Sequence, residues 1–249
     1  MSHEPRLSFH TGSHKEISFL EGPKSRWKEF TFAVSVFTQF IKGFRKLHFV
    51  GPCITVFGSA RFDPSHPYYV LARQVGERLA NLGFAVMTGG GPGIMEAANR
   101  GAKEAGGHSV GCNIVLPMEQ KPNPYLDRWV NIEFFFVRKT LLSKYSYGFI
   151  VMPGGYGTLD EFFEAITLIQ TGKFKKFPVV LMGTEFHKEL YEHLQKLVSE
   201  KTINPDDINL FLFTDSVDEA IAHVEKNAIE TFGLRKVRKY RPFRWLGER

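Results

Sequence analysis

The sequence predicts an α/β protein: a Rossmann-like, doubly wound parallel sheet with an N-terminal helical extension. From Cys53 onward, short apolar runs alternate with longer amphipathic stretches, as strands feeding crossover helices do. Those runs are apolar at successive positions rather than at every second one, the mark of strands covered on both faces. The chain of 249 residues is 43% hydrophobic and 23% charged, with 24 Phe. That is material for a substantial core and argues against wholesale disorder.

Taken in order, residues 1 to about 25 are polar, hold Gly12, Gly22 and Pro23, and read as a flexible arm. Over residues 26–48, Phe30, Val34, Phe37, Ile41 and Phe44 recur at spacings of three or four, one stripe of an amphipathic helix. The stripe packs on the domain or on a second subunit. The competing reading is a membrane-surface helix, because Lys42, Arg45 and Lys46 follow it. Strands are expected at 54–57, 85–88, 110–114, 149–152, 179–182 and 210–213. Helices are expected at 68–82, 94–105, 139–147, 159–170, 186–200 and 217–229. Gly83 and Gly106 sit where helix C-caps belong. With no internal repeat and no mid-chain linker, the organisation is an arm plus amphipathic helix at 1–49, a single Rossmann-like domain at 50–232, and a basic tail at 233–249.

Composition excludes several classes. The net charge of +6 is carried by residues 235–249, with seven basic residues against Glu248, and the rest of the chain holds 25 charges of each sign. A nucleic-acid domain needs its basic stripe on the fold itself, so no nucleic-acid partner is expected. Two cysteines, Cys53 and Cys112, exclude a disulfide framework and a cysteine-rich metal module. Such sparse cysteine fits a reducing, cytoplasmic setting. No HExxH or paired His/Cys cluster suggests a metal. There is no apolar run of about 18 residues, and the opening MSHEPRLSFH does not read as a signal peptide. No stable membrane association is expected.

In an open parallel sheet, ligands bind beyond the carboxyl ends of the strands. The first strand is followed by Gly58-Ser59, the second by Gly89-Gly90-Gly91-Pro92-Gly93, and the fourth apolar run by Pro153-Gly154-Gly155-Tyr156-Gly157-Thr158. Two glycine-rich turns, each opening a helix, suit a phosphate: glycine lets backbone N–H groups come close, and a helix N-terminus carries partial positive charge. Neither turn is GxGxxG and no GxxxxGK[ST] occurs, which argues against an ordinary dinucleotide site and a triphosphate hydrolase. Thr158 and Glu161 have the spacing of a capping box. The alternative is that Glu161, a carboxylate beside an anion site, serves the reacting end of the ligand. Arg138-Lys139 opens the helix before the fourth run, where cations oppose the helix macrodipole. That misfit marks either a functional site or a pair of solvated charges.

Together, Gly89–Met95, Arg138-Lys139 and the segment from Pro153 to Glu161, which reads PGGxGTxxE, resemble the LOG (Lonely Guy) family, longer bacterial group. The resemblance spans roughly residues 50–232. These enzymes are cytokinin riboside 5′-monophosphate phosphoribohydrolases, often labelled lysine decarboxylases. The resemblance implies cleavage of the N-glycosidic bond of a nucleoside 5′-monophosphate, AMP or a cytokinin riboside 5′-monophosphate, to free base and ribose 5-phosphate. It implies no metal and no organic cofactor. It maps the catalytic pair onto Arg138 and Glu161, and substrate or phosphate contacts onto Gly58, Ser59, Gly89, Gly90, Gly91, Met95, Lys139, Gly154, Gly155, Gly157 and Thr158. It implies a homo-oligomer built from dimers, up to a hexamer. Shorter members read GGGxxGLMG, whereas Glu96 follows Met95 here, a departure that bears on base recognition or subunit contact. The label decarboxylase calls for a Schiff-base lysine in a formed site. Ser13-His14-Lys15 has that superficial look but precedes the fold. The alternative class is a non-catalytic carrier of a nucleotide or of molybdenum cofactor on the same sheet.

Overall fold

The computed structural model describes residues 14–115, 121–175 and 177–229. The basic tail, with Phe243 and Trp245, and the arm before His14 lie outside them. Seven strands form one sheet: β1 (Cys53–Phe57), β2 (Ala85–Thr88), β3 (Ser109–Ile114), β4 (Arg128–Ile132), β5 (Ser146–Val151), β6 (Val179–Met182) and β7 (Leu212–Thr214). Their order is β4-β3-β2-β1-β5-β6-β7 and every pairing is parallel. The order runs one way from β1 through β4 and resumes on the other side at β5. The switch point therefore lies between β1 and β5, the place where sheets of this kind bind ligands beyond the strand ends.

Two apolar cores cover the two faces. α3 (Pro67–Asn81), α4 (Ile94–Glu104) and α8 (Val217–Val224) pack on one face through Tyr69, Leu79, Ile94 and Val224. α5 (Phe135–Tyr145), α6 (Tyr156–Gln170) and α7 (Lys188–Ser199) cover the other through Leu141, Phe162 and Leu194. Cys53 and Phe57 of β1 face the second core while Ile54 and Val56 face the first, so the expected two-sided burial holds. α8 stops at Val224 and continues as a π-helical turn, Glu225–Ile229.

Several features differ from expectation. β4 lies outside the expected strands because it is an edge strand: Arg128 and Trp129 are exposed while Val130 and Ile132 are buried, so it offers alternation and no apolar run. His14–Leu20 forms a helix, α1, inside the stretch expected as an arm. α2 (Arg26–Leu47) forms as expected, but most of its predicted stripe points away from the fold. Of that stripe, Phe30, Val34 and Phe37 are 58%, 46% and 63% exposed. The opposite side, Phe32, Val36, Phe40 and Leu47, seats α2 on the core, joined by Phe44 from the end of the predicted stripe, and Gly43 lies so close to Leu141 of α5 that a Cβ would collide with it. Finally, α6 begins at Tyr156 with Gly155 as N-cap and no side-chain cap. Thr158 is thus the third residue of the helix and Glu161 lies in its second turn, so the capping box does not form.

Candidate active site

Three loops meet at the switch point. The Ser59 N–H donates to Pro153 O at 2.9 Å, the Met152 N–H to Phe57 O at 2.8 Å, and the Ile94 N–H to Ser59 O at 2.9 Å. The turns after β1, β2 and β5 are thereby knitted into one rim. Gly93 adopts φ 67° and lies against the Ser59 carbonyl and Ala60 so closely that a side chain has no place there. A Cβ at Gly155 or Gly157 would meet no atom within 4 Å, so this part of the rim faces open space at the N-terminus of α6.

Beneath the second loop lies a buried polar scaffold that sequence reasoning missed. The Thr88 hydroxyl donates to Asn99 Oδ1 at 2.6 Å and accepts from the Gly90 N–H at 2.9 Å. Asn123 Nδ2 donates to Asn99 Oδ1 at 3.0 Å and to Gly91 O at 3.1 Å, and the Asn123 N–H donates to Gly90 O at 2.9 Å. Three buried side chains thus hold Gly90 and Gly91 in one shape. Asn99 had a signal: it is a polar residue on the apolar face of α4, between Ala98 and Ala102. Asn123 had none.

Arg138 and Glu161 come together from different helices. Arg138 Nε donates to Cys112 O at 2.9 Å, which fixes the guanidinium over the end of β3. Its Nη1 stands 3.8 Å from Glu161 Oε1, an ion pair too long for a hydrogen bond. A Cβ at Gly89 would fall 2.6 Å from Arg138 Nη2 and 2.7 Å from Met95 Sδ, so Gly89, Met95 and Arg138 share one corner. Glu161 is 3% exposed, and its buried Oε2 has no hydrogen-bond partner among the described residues. Burial raises its carboxyl from 4.5; Arg138 and Lys139 pull it back, Glu164 and Asp160 push it up, and it settles at about 7. A carboxyl poised near neutrality can exchange a proton with a ligand or water. The neighbouring Cys112 thiol is pushed up to about 12 by burial, so it offers no thiolate nucleophile near pH 7.

Lys139 sits beside this pair but is engaged elsewhere, 3.0 Å from Asp160 Oδ1 and 2.9 Å from Glu164 Oε2. Helix α5 starts at Phe135, four residues earlier than expected, so Arg138 closes its first turn rather than opening it. Glu96 accepts from the Tyr69 hydroxyl at 3.0 Å across the α3–α4 pair. No cluster of three or more His, Cys, Asp or Glu suited to a metal occurs among the described residues, and no described helix is long and apolar enough to cross a membrane.

Residues 95–224 match the family described as "possible lysine decarboxylase". The chain is 31% identical over 64% of its length to a rice protein, "probable cytokinin riboside 5′-monophosphate phosphoribohydrolase LOGL5", and spans 65% of that protein. It is 28% identical over 69% of its length to the cytokinin riboside 5′-monophosphate phosphoribohydrolase of Rhodococcoides fascians, covering 88% of it. Among solved structures, the molybdenum cofactor carrier protein of Chlamydomonas reinhardtii superposes with a TM-score of 0.52 at 27% identity, over 71% of this chain and 98% of that one.

The raised Glu161 carboxyl has a thermodynamic consequence. Unfolded, it ionises near 4.5; folded, near 7. Between these values the unfolded chain binds fewer protons, so this group lowers stability as pH rises and holds it down above pH 7. The full penalty is about 3 kcal/mol at about 1.4 kcal/mol per unit. Glu161→Gln should therefore gain stability over the parent at pH 8 and much less at pH 5, measured by denaturant titration. Equal shifts at both pH values would contradict the perturbed carboxyl.

Proposed function

Because the chain belongs to the LOG family, the family described as "possible lysine decarboxylase", we propose that it hydrolyses the N-glycosidic bond of a nucleoside 5′-monophosphate. AMP and cytokinin riboside 5′-monophosphates are the proposed substrates, with free base and ribose 5-phosphate as products. The observation that carries this reading is Glu161: a carboxylate buried beside a glycine-built rim, half-partnered, and titrating at about 7. A site that only held an anion would gain nothing from such a group, which repels phosphate.

The rim formed by Gly58, Ser59, Gly89, Gly90, Gly91, Gly154, Gly155 and Gly157, with the Thr158 hydroxyl, takes the 5′-phosphate. This places the ribose C1′ toward Glu161. As the C1′–N bond breaks, its electron pair leaves with the base and positive charge develops on the ribose. Glu161 stabilises that charge and accepts a proton from the water whose oxygen bonds to C1′, while the departing base nitrogen takes up a proton from solvent and Glu161 later returns its own to solvent, so that the free base leaves neutral. Arg138, anchored on Cys112, holds the departing base or the ligand, and Met95 lines the base side. Lys139 acts through its ion pairs with Asp160 and Glu164 rather than by direct contact.

Two other readings are weaker. A Schiff-base decarboxylase needs a lysine with a lowered pKa. Burial does lower that of Lys139, but the hydrogen bonds and charges of Glu164 and Asp160 outweigh it and the net shift is upward. The carrier reading takes support from the likeness to the Chlamydomonas protein, but leaves Glu161 without a role.

We also propose a homo-oligomer built from dimers and reaching a hexamer. Trp27, Phe30, Val34 and Phe37 form an apolar face along α2 opposite the face seated on the core, and such a face in water calls for a cover.

Incubation with AMP, GMP, CMP and isopentenyl-adenosine monophosphate, followed by chromatography of free base, tests the activity. AMP should be consumed far faster than adenosine, because the phosphate supplies binding energy that positions the ribose. Glu161→Gln should lower kcat about 10²–10⁴-fold. Return of every nucleotide unchanged would support the carrier instead. Light scattering should give a mass of at least twice 28.4 kDa, reduced by Phe30→Asp/Phe37→Asp with the fold retained. A monomeric parent would contradict the assembly.

A further inference from the structure

The first turn of α5 is poorly provided for by its own sequence. Its N-cap is Phe134, which has no side-chain acceptor, and its first turn holds no acid. Arg138 and Lys139 then add positive charge to the positive end of the helix dipole. The first four N–H groups of a helix have no partner within it. The missing acceptor comes from the N-terminal extension. The Phe135 N–H donates to Glu16 of α1 at 3.2 Å to Oε1 and 3.4 Å to Oε2, across 119 residues of sequence. The carboxylate also supplies the negative charge that the turn lacks.

Three further contacts join the same pieces. Gln39 of α2 is buried, donates from Nε2 to Glu133 Oε1 at 2.9 Å, and accepts from the Glu133 N–H at 3.4 Å. An aromatic ladder runs from α1 through α2 to the cap of α5. Phe19 stacks on Phe32 at 3.9 Å, Phe32 meets Phe134 edge-on at 5.1 Å, and Phe134 stacks on Phe136 at 5.7 Å. One turn beyond Arg138, Gly43 of α2 rests on Leu141. Glu133, Phe134 and Phe135, the residues that launch α5, are thus each held by the extension.

We propose that α1 and α2 form a clasp that positions the first turn of α5, and through it Arg138 against Glu161, with Glu16 and Gln39 as positioning residues. The catalytic consequence rests on the phosphoribohydrolase reading; the clasp itself does not. The 3.8 Å separation of Arg138 from Glu161 is set from opposite sides, by Cys112 O on the sheet and by the seating of the helix start. Loosening the start lets the guanidinium swing about its one sheet anchor.

The test uses the full chain and three variants: Glu16→Ala, Glu16→Gln, which keeps a carbonyl acceptor, and Gln39→Met. Amide hydrogen exchange is followed over residues 133–140 and, as a control, over β1 and α3, together with kcat and KM for AMP. Glu16→Ala should speed exchange in 133–140 about five-fold, the effect of losing one cap, with β1 and α3 unchanged. It should lower kcat by a similar factor and leave KM within about two-fold, since the phosphate rim does not belong to α5. Gln39→Met should act in the same direction, and Glu16→Gln should restore most of both effects. Unchanged exchange in 133–140, or an equal rise in β1 and α3, would overturn the clasp. A local rise in exchange with kcat unaltered would overturn its positioning role. If the parent itself leaves AMP intact, the functional reading fails, and the exchange data still judge the clasp.

Discussion

Burying a carboxylate without pairing it is expensive, and the arrangement around Glu161 follows from that constraint. A fully bonded ion pair with Arg138 would hold the carboxylate ionised, at the low end of its range. At 3.8 Å the guanidinium offsets part of the desolvation and leaves the proton mobile. The distance matters because attraction inside a protein changes steeply with separation. The Nε bond to Cys112 O anchors Arg138 at this corner, and Gly89 leaves it room only because it has no side chain. The protein therefore accepts a loss of stability at this position in return for a group that can exchange protons near neutral pH.

The same logic explains why so much of the surrounding structure is rigid. A phosphate held by backbone groups needs those groups preset, since each degree of freedom lost on binding weakens it. Thr88, Asn99 and Asn123 preset the second loop from below. The bonds between Ser59, Pro153 and Ile94 tie it to the other two. Thr88, Asn99 and Asn123 are buried and each is bonded on more than one side, so together they specify one loop shape. On the opposite rim, α5 depends on partners far away in sequence for the same precision.

Much of this was legible in the amino-acid order, and the exceptions have physical causes. The central strands announced themselves because burial on both faces leaves an uninterrupted apolar run. β4 did not, because an edge strand mixes exposed Arg128 and Trp129 with buried Val130 and Ile132. The helix at 26–48 was legible, but phenylalanines occupy both of its sides, and periodicity does not say which of two apolar stripes meets the core. The spacing of Thr158 and Glu161 suggested a cap, yet Gly155 starts the helix one turn earlier and releases Glu161 from that role. Arg138-Lys139 was recognisable as a misfit with the helix dipole; the carboxylate that relieves it sits in α1, where no local pattern could point. The glycine loops and the Arg138–Glu161 pair were thus readable as candidates, while the groups that hold them in place were not.

The titration of Glu161 tests the central claim most directly. With ¹³C-labelled glutamate, its carboxyl resonance is assigned by comparison with Glu161→Gln and followed from pH 4 to pH 9 in the ligand-free protein. A midpoint at about 7 is the result that the burial and the loose Arg138 pair require. A midpoint near 4.5 would mean that the carboxylate is solvated or fully paired, and would remove the physical basis for assigning it the proton transfer.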